Sequence, residues 1–309
     1  MTGLTLILLE RLFTGRIRSI KIDPIRSRES RKIMIINDHF QNYKSYGIQK
    51  AQLIIADIPY NVGKDAYGSN PAWYVDGDNA NGESKLANSE FFDTDKDFRM
   101  TEFLHFCTKM LKKEPKVVKG GKRGENKSPC MIVFCSFEQQ FELIEKAKNY
   151  GLNHYINLVF RKNFSAQVLK ANMRVVGNAE YAVLLYRDKL PKFNNRGKMI
   201  FNVFDWEKDS DSPKIHPTQK PVKLLRRLIE IFTDDGEVVI DPVAGSGSTL
   251  VAAELSNRKY YGFEIKKNFY KEAVEWVEEV KSRPDMFQAQ SREVKHVQNN
   301  MFAENERGR

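Results

Sequence analysis

Residues 57–61 of the chain read DIPYN and follow the apolar run LIIA. Asp57 offers a hydrogen-bond acceptor, Pro59 a fixed backbone and Tyr60 a flat face for stacking. That set of residue types suits a flat ligand bearing an amino group. A second stretch, DPVAGSGST at 241–249, runs from an apolar segment into small residues that let the backbone turn tightly against a ligand before a helix begins. Ser248 stands where a phosphate loop requires lysine, and no third glycine completes a dinucleotide fingerprint. What remains is a turn shaped for a nucleoside-like ligand without a phosphate chain. Glu264, at the end of the next strand, is placed to accept from ribose hydroxyls.

These residues need elements to hold them. Strands are expected at KIMIIN (32–37), AQLIIAD (51–57), MIVFCS (131–136), YINLVFRK, EYAVLLYR, EVVID and KYYGFEI (259–265). Helices are expected through EFLHFCTKML (102–111), FEQQFELIEKAKNYG ending on Gly151, VKLLRRLIEIF, LVAAELS and the stretch from about Asn268 to Ser282. Strands alternating with helices, many of them uniformly apolar, predict an α/β fold with a mostly parallel sheet covered on both faces. Between Tyr60 and the first of these helices lies a polar stretch, 61–98, with Tyr67, Trp73 and Tyr74; loops of that length usually act as lids or binding loops. After Arg187 the patterning fades for about 25 residues. Residues 1–30 read as an N-terminal extension, 31–283 as one domain and 284–309 as a polar tail.

The net charge of +10 over 309 residues points to a polyanionic partner, and no apolar run approaches the ~20 residues of a membrane span. Nucleic acid is the favoured partner. In MTGLTLILLERLF, Glu10 and Arg11 end the apolar stretch too early for a signal peptide. Cys107, Cys130 and Cys135 form neither a CxxC pair nor a zinc pattern, which suits reduced, mostly buried thiols in a cytoplasmic protein.

With both motifs in view, the chain resembles the amino-group DNA methyltransferases, in particular the permuted (beta) class whose catalytic half precedes its cofactor half. DIPY is similar to their (D/N/S)PP(Y/F) motif and DPVAGSGST to their DPFxGSGTT loop. HPTQKP (216–221) matches a block just upstream of that loop; GNAEYAVLLYR, YYGFEIKKNFY and NDHF (37–40) match further segments. The likeness spans roughly residues 33–280 and departs at Ile58, where the family usually has proline.

The resemblance implies a Rossmann-like sheet with circularly permuted motif order, S-adenosylmethionine as cofactor, and double-stranded DNA as partner. It assigns catalysis to Asp57, Ile58, Pro59 and Tyr60. Asp57 and the carbonyl of Ile58 would accept the two N–H groups of an exocyclic amine, whose lone pair is otherwise delocalised, while Tyr60 stacks on the base. Alignment and charge stabilisation then supply most of the rate, without a metal. Cofactor contacts carry over to Asp241, Ala244, Gly245, Ser246, Gly247, Thr249 and Glu264. Thr218, Gln219 and Lys220 go to the methionyl end, Lys220 to its carboxylate, and Asp38 to the adenine amine. His216 is expected to be a structural hydrogen-bonding residue and not a general base.

An amine inside a duplex must be flipped out to react, at a cost of a few kcal/mol. Lys112, Lys113, Lys116, Lys119, Lys122, Arg123 and Lys127 are read as a basic DNA-side loop over 112–128, and 188–215 as a short target-recognition segment. Asp as the first motif residue points to adenine N6. Cytosine N4, an RNA adenine, or a non-catalytic DNA-binding subunit of the same fold are the alternatives. A second copy of the chain and a companion restriction endonuclease stay open as further partners.

Overall fold

The computed structural model describes residues 34–60, 98–116, 127–163, 167–170, 175–207, 209–210, 212–216 and 219–282. The N-terminal extension, nearly all of the 61–98 stretch, the middle of the basic loop and the C-terminal tail lie outside them. Ten strands are described: β1 Met34–Ile36, β2 Leu53–Asp57, β3 Cys130–Cys135, β4 His154–Lys162, β5 Gln167–Lys170, β6 Val175–Gly177, β7 Ala179–Tyr186, β8 Val203–Trp206, β9 Val238–Asp241 and β10 Lys259–Phe263. The α-helices are α1 Met100–Met110, α2 Gln139–Lys148, α3 Val222–Phe232, α4 Ser248–Leu255 and α5 Lys267–Ser282; a 3-10 helix covers Phe40–Tyr46.

Eight strands form one sheet in the order β1-β10-β9-β2-β3-β7-β4-β8. Pairing is parallel from β1 through β3 and between β4 and β8; only β7 runs against its neighbours. The expectation of a mostly parallel sheet holds. The uniformly apolar strands follow from two-sided burial. In β2, Leu53 and Ile55 enter one core while Ile54 and Ala56 enter the other. In β3, Cys130, Ile132 and Phe134 alternate in the same way with Met131, Val133 and Cys135.

Helices α3, α4 and α5 cover the first core, and α1, α2 and the 3-10 helix the second. Helix α3 shows how: Leu224, Leu225, Leu228, Ile229 and Phe232 point inward at helical spacing. Its end is tied to the sheet by the buried Arg258, whose guanidinium donates to the Thr233 hydroxyl at 2.8 Å and carbonyl at 2.7 Å and pairs with Asp235 at 2.7 Å.

Two features differ from the sequence reading. Residues 188–215 contain β8, a sheet-edge strand, and Asn194 ties the segment to the Thr233 carbonyl at 2.8 Å. Part of the expected recognition segment is therefore scaffold. Lys112, expected at the DNA, pairs with Glu237 at 2.9 Å, and its amide donates to the Ala51 carbonyl. All three cysteines are buried and unpaired with one another; burial pushes the Cys135 thiol up to about 12 and the other two well up as well.

Candidate active site

The parallel strands end together, so their C-terminal loops share one edge, where open α/β sheets bind ligands. In the β2–β9 register Ile54 lies opposite Ile240, so Asp57 and Asp241 end neighbouring parallel strands with an offset of two residues. The two motifs, which open 184 residues apart in the chain at Asp57 and Asp241, meet there. Two residues from the stretch before α3 reach this edge: His216 approaches Gly245, and Lys220 reaches Asp57.

At the β2 end, the Lys220 ammonium donates to Asp57 Oδ2 at 2.5 Å. Asp57 Oδ1 is buried and has no hydrogen-bond partner among the described residues. Burial pushes the Asp57 carboxyl up, and the adjacent ammonium opposes the rise. Ile58 is buried, at 1% exposure, and its N–H donates to the Phe134 carbonyl at 3.2 Å. Proline could not make that bond, so the chain replaces ring stiffness with a ladder hydrogen bond and an apolar anchor. The Pro59 carbonyl accepts from the Gln139 side chain at 2.7 Å. Gln139 is itself locked by reciprocal bonds with Ser136 at 3.0 and 3.2 Å. The DIPY turn is thus braced from the start of α2.

At the β9 end, Asp241 is buried and accepts from the Val243 amide at 3.0 Å. Burial raises its carboxyl to about 7, against bonds from Thr249 and Val243 and with like charge from Asp57 and Glu264 adding to the rise. The Gly245 amide donates to Glu264 at 2.8 Å and the Lys266 amide to its other oxygen at 2.7 Å. Glu264, expected at a ribose, therefore also pins the loop. Ala244 and Ser246 are buried within the turn and Thr249 in the first turn of α4. Asp38, beyond β1, is partly exposed and accepts from Tyr46 at 2.6 Å, Asn42 at 2.8 Å and the His39 amide at 2.7 Å; these bonds lower its carboxyl. Its neighbour Asn37 donates to the Glu264 carbonyl at 2.8 Å, which holds Asp38 beside the β10 end.

Other expected residues fall differently. Gln219 closes its own turn, accepting from the Ile215 amide at 3.1 Å and donating to the Pro213 carbonyl at 2.8 Å. Lys220, expected at a cofactor carboxylate, meets carboxylates of the chain itself. Thr218 lies outside the described residues. The His216 ring packs edge-on to Phe269 at 4.6 Å, and burial, with charge from Lys220 and Lys266, pushes it down to about 4, so it is neutral near pH 7.

Three side chains that carry no role in the sequence reading join the site: Glu180 from β7, Lys162 from β4 and Trp206 from β8. Lys162 pairs with Glu180 and lies 4.8 Å from the Trp206 ring centre; Lys220 lies 3.3 Å from Glu180. The signal was a carboxylate entering an otherwise apolar strand in GNAEYAVLL and a cation closing YINLVFRK.

The site fits a compact cationic nucleoside. Asp57, Asp241 and Glu264 gather carboxylates at one edge, and Gly247 lets the turn pack closely against α5, since a Cβ there would stand 2.9 Å from that of Ala273. Among the described residues no group of three or more His, Cys, Asp or Glu side chains converges as metal ligands.

Residues 51–275 match the family model described as DNA methylase, which covers both strand ends and everything between them. The chain belongs to the DNA methylase family. This DNA methylase is 27% identical over 265 residues to DNA adenine methyltransferase YhdJ of Escherichia coli, covering 81% of this chain and 83% of the relative. Its fold resembles the M1.HpyAVI–SAM complex with a TM-score of 0.54 and 19% identity, over 79% of this chain and 98% of that one. It resembles the PvuII DNA methyltransferase (cytosine-N4-specific) equally, at 0.54 and 16% identity, over 82% and 91%. Among the described residues no helix of this DNA methylase is long and apolar enough to cross a membrane.

The buried Asp241 carries a stability consequence. Its folded pKa, about 7, lies above the ordinary 3.8. Between these values the folded chain holds the extra proton, so stability falls as pH rises through the window and the loss is complete above it. Asp241→Asn is expected to raise the thermal midpoint at about pH 8, by a margin that shrinks toward about pH 4, while weakening cofactor binding. Thermal melts across that range check it; a pH-independent difference would contradict it.

Proposed function

We propose that this DNA methylase transfers the methyl group of S-adenosylmethionine to the exocyclic N6 amine of an adenine flipped out of double-stranded DNA. The observation that carries the reading is the state of Asp57: one oxygen is held by Lys220 and the other is buried without a hydrogen-bond partner among the described residues, at the end of β2, the strand next to β9 and its glycine turn. When bound, the cofactor supplies a methyl group made electrophilic by its sulfonium. Asp241, Gly245, Gly247 and Glu264 would hold it, with Asp38 at its adenine.

The chain's own residues do the rest. Asp57 Oδ1 accepts one N–H of the target amine and the Ile58 carbonyl the other. That pairing favours a pyramidal nitrogen with a directed lone pair. Tyr60 stacks on the extruded base, and Gln139 keeps the turn from retreating when the base enters. These groups are fixed before reaction, so little reorganisation is needed. A proton must leave the methylated nitrogen, and the raised Asp57 carboxylate is the acceptor within reach.

Adenine is supported by Asp as the first motif residue and by the name of the Escherichia coli relative. The name of the PvuII enzyme makes cytosine N4 the second reading. The order of β2 before β9 in the chain supports the permuted class. Incubating the protein with methyl-labelled cofactor and mixed-sequence duplex DNA, then digesting to nucleosides, is expected to give label in N6-methyladenine alone. Label in N4-methylcytosine, or label that appears only with RNA, would overturn the assignment.

A further inference from the structure

We propose that Lys220 and Glu180 are positioning residues that fix the orientation and charge of Asp57 for methyl transfer; the inference rests on the function proposed above. The Lys220 ammonium is 5% exposed and lies between two carboxylates, 2.5 Å from Asp57 Oδ2 and 3.3 Å from Glu180 Oε2. Glu180 is bound in turn by Lys162 and takes the Tyr60 hydroxyl at 3.4 Å. The ring faces of Phe134, Tyr60 and Trp206 surround the same ammonium at 5.2, 5.6 and 5.6 Å.

The four charges alternate in sign from Asp57 through Lys220 and Glu180 to Lys162, so the buried set is neutral. They come from β2, the segment before α3, β7 and β4. Buried ion pairs contribute little net stability, since desolvation offsets their attraction. A network serving as a staple alone would lose stability by ending on a carboxylate whose second oxygen is buried and makes no hydrogen bond. Here the terminal member is the residue that must present an acceptor.

Two consequences follow for Asp57. With Oδ2 held by Lys220, Oδ1 is the oxygen left without a hydrogen bond, and it can accept from an amine that displaces the atoms covering it. The ammonium beside it favours the ionised form, which accepts, against the burial that pushes the carboxyl up; protonated, it would donate to an amine that also donates, and binding would fail. The groups that face Asp57 are Tyr60 from its own segment, Cys135 from β3, Glu180 from β7 with Lys162 behind it, Asp241 from β9, and Lys220 from the segment before α3. Of these, Lys220 favours the ionised form and Glu180 disfavours it. Their removal must therefore move Asp57 in opposite directions.

The test is single-turnover methylation of duplex DNA from about pH 5 to 9.5 at saturating cofactor, with cofactor binding followed by calorimetry. In Lys220→Met the acid limb is expected to rise by about one pH unit or more, with activity near pH 7 down at least ~100-fold and partly recovered at high pH. In Glu180→Gln the limb is expected not to rise, while the plateau falls about tenfold as Lys220 loses its second anchor. An unmoved limb in Lys220→Met, or an equal rise in both variants, overturns the inference. Should Lys220→Met not fold, Lys220→Arg decides: a wild-type limb with a plateau reduced about tenfold supports positioning, because the planar guanidinium cannot copy a point ammonium. A wild-type plateau overturns it. Wild-type protein that methylates no DNA at any pH would instead remove the function beneath it.

Discussion

Asp57→Ala is expected to lower the single-turnover rate of methyl transfer by about 10³-fold or more, while affinity for duplex DNA changes by less than about threefold. The size follows from what the side chain does. A conjugated amine is a weak nucleophile, and removing one pre-aimed group that stabilises developing charge costs about 10²–10³ in rate by itself. Asp57 would also set the geometry of the amine and receive its proton, so the losses compound. DNA affinity is expected to persist because phosphate contacts dominate it and Asp57 makes none. Alanine also leaves Lys220 with Glu180 and Lys162 in a set carrying net positive charge, so a second variant is needed. Asp57→Asn keeps the shape and one acceptor but cannot take a proton, and a loss of about 10²-fold or more is expected. Rates from rapid-quench assays and affinity from anisotropy at fixed salt separate the two quantities. Full activity in either variant would remove Asp57 from the chemistry.

That the two motifs converge is legible in the sequence, and the reasons are local. DIPY and DPVAGSGST each sit at a strand end, and strand ends on one edge of a parallel sheet converge whatever the loops between them do. Helix α3 matches VKLLRRLIEIF residue for residue because its apolar spacing is strict and Pro221 opens it. Strand β8 was invisible: four residues, Val203–Trp206, alternate for too short a distance to register, and a sheet edge needs only its inner face apolar. The hairpin of β5 and β6 was missed for the same reason of length. The roles of Glu180, Lys162 and Lys220 could not be read from order alone. Nothing in a one-dimensional pattern says that three charges on β7, β4 and a loop cancel around one carboxylate; that depends on β7 running antiparallel between β3 and β4. Lys220 reads in the sequence as a lysine suited to a carboxylate, and the chain supplies two of its own.

Gly247→Val is expected to weaken S-adenosylmethionine binding by about 100-fold or more and to lower the thermal midpoint by several degrees. Gly247 has φ 80°, a conformation in which a β-branched side chain is strained by ~1–3 kcal/mol. Space is short as well: the added Cβ would stand 2.9 Å from Ala273 Cβ and 3.4 Å from its Cα, and Ala273 is fully buried in α5. Helix α5 cannot yield, because Trp276 and Val277 anchor it one turn further on in the core, so the turn must move. The turn is held through Gly247 itself, whose amide donates to the Ala244 carbonyl at 2.8 Å and whose carbonyl receives Leu250 and Val251 at the start of α4. Displacing it strains the Gly245–Glu264 bond and shifts the residues expected to hold the cofactor. Gly197→Val is the control. Gly197 has a similar φ of 72°, but an added Cβ would meet nothing within 4 Å. It carries the backbone strain without the collision, so a small loss of stability with wild-type cofactor affinity is expected there. Calorimetric titration of both variants separates the effects. Equal cofactor affinities would mean that the close approach of this turn to α5 does not shape the cofactor site.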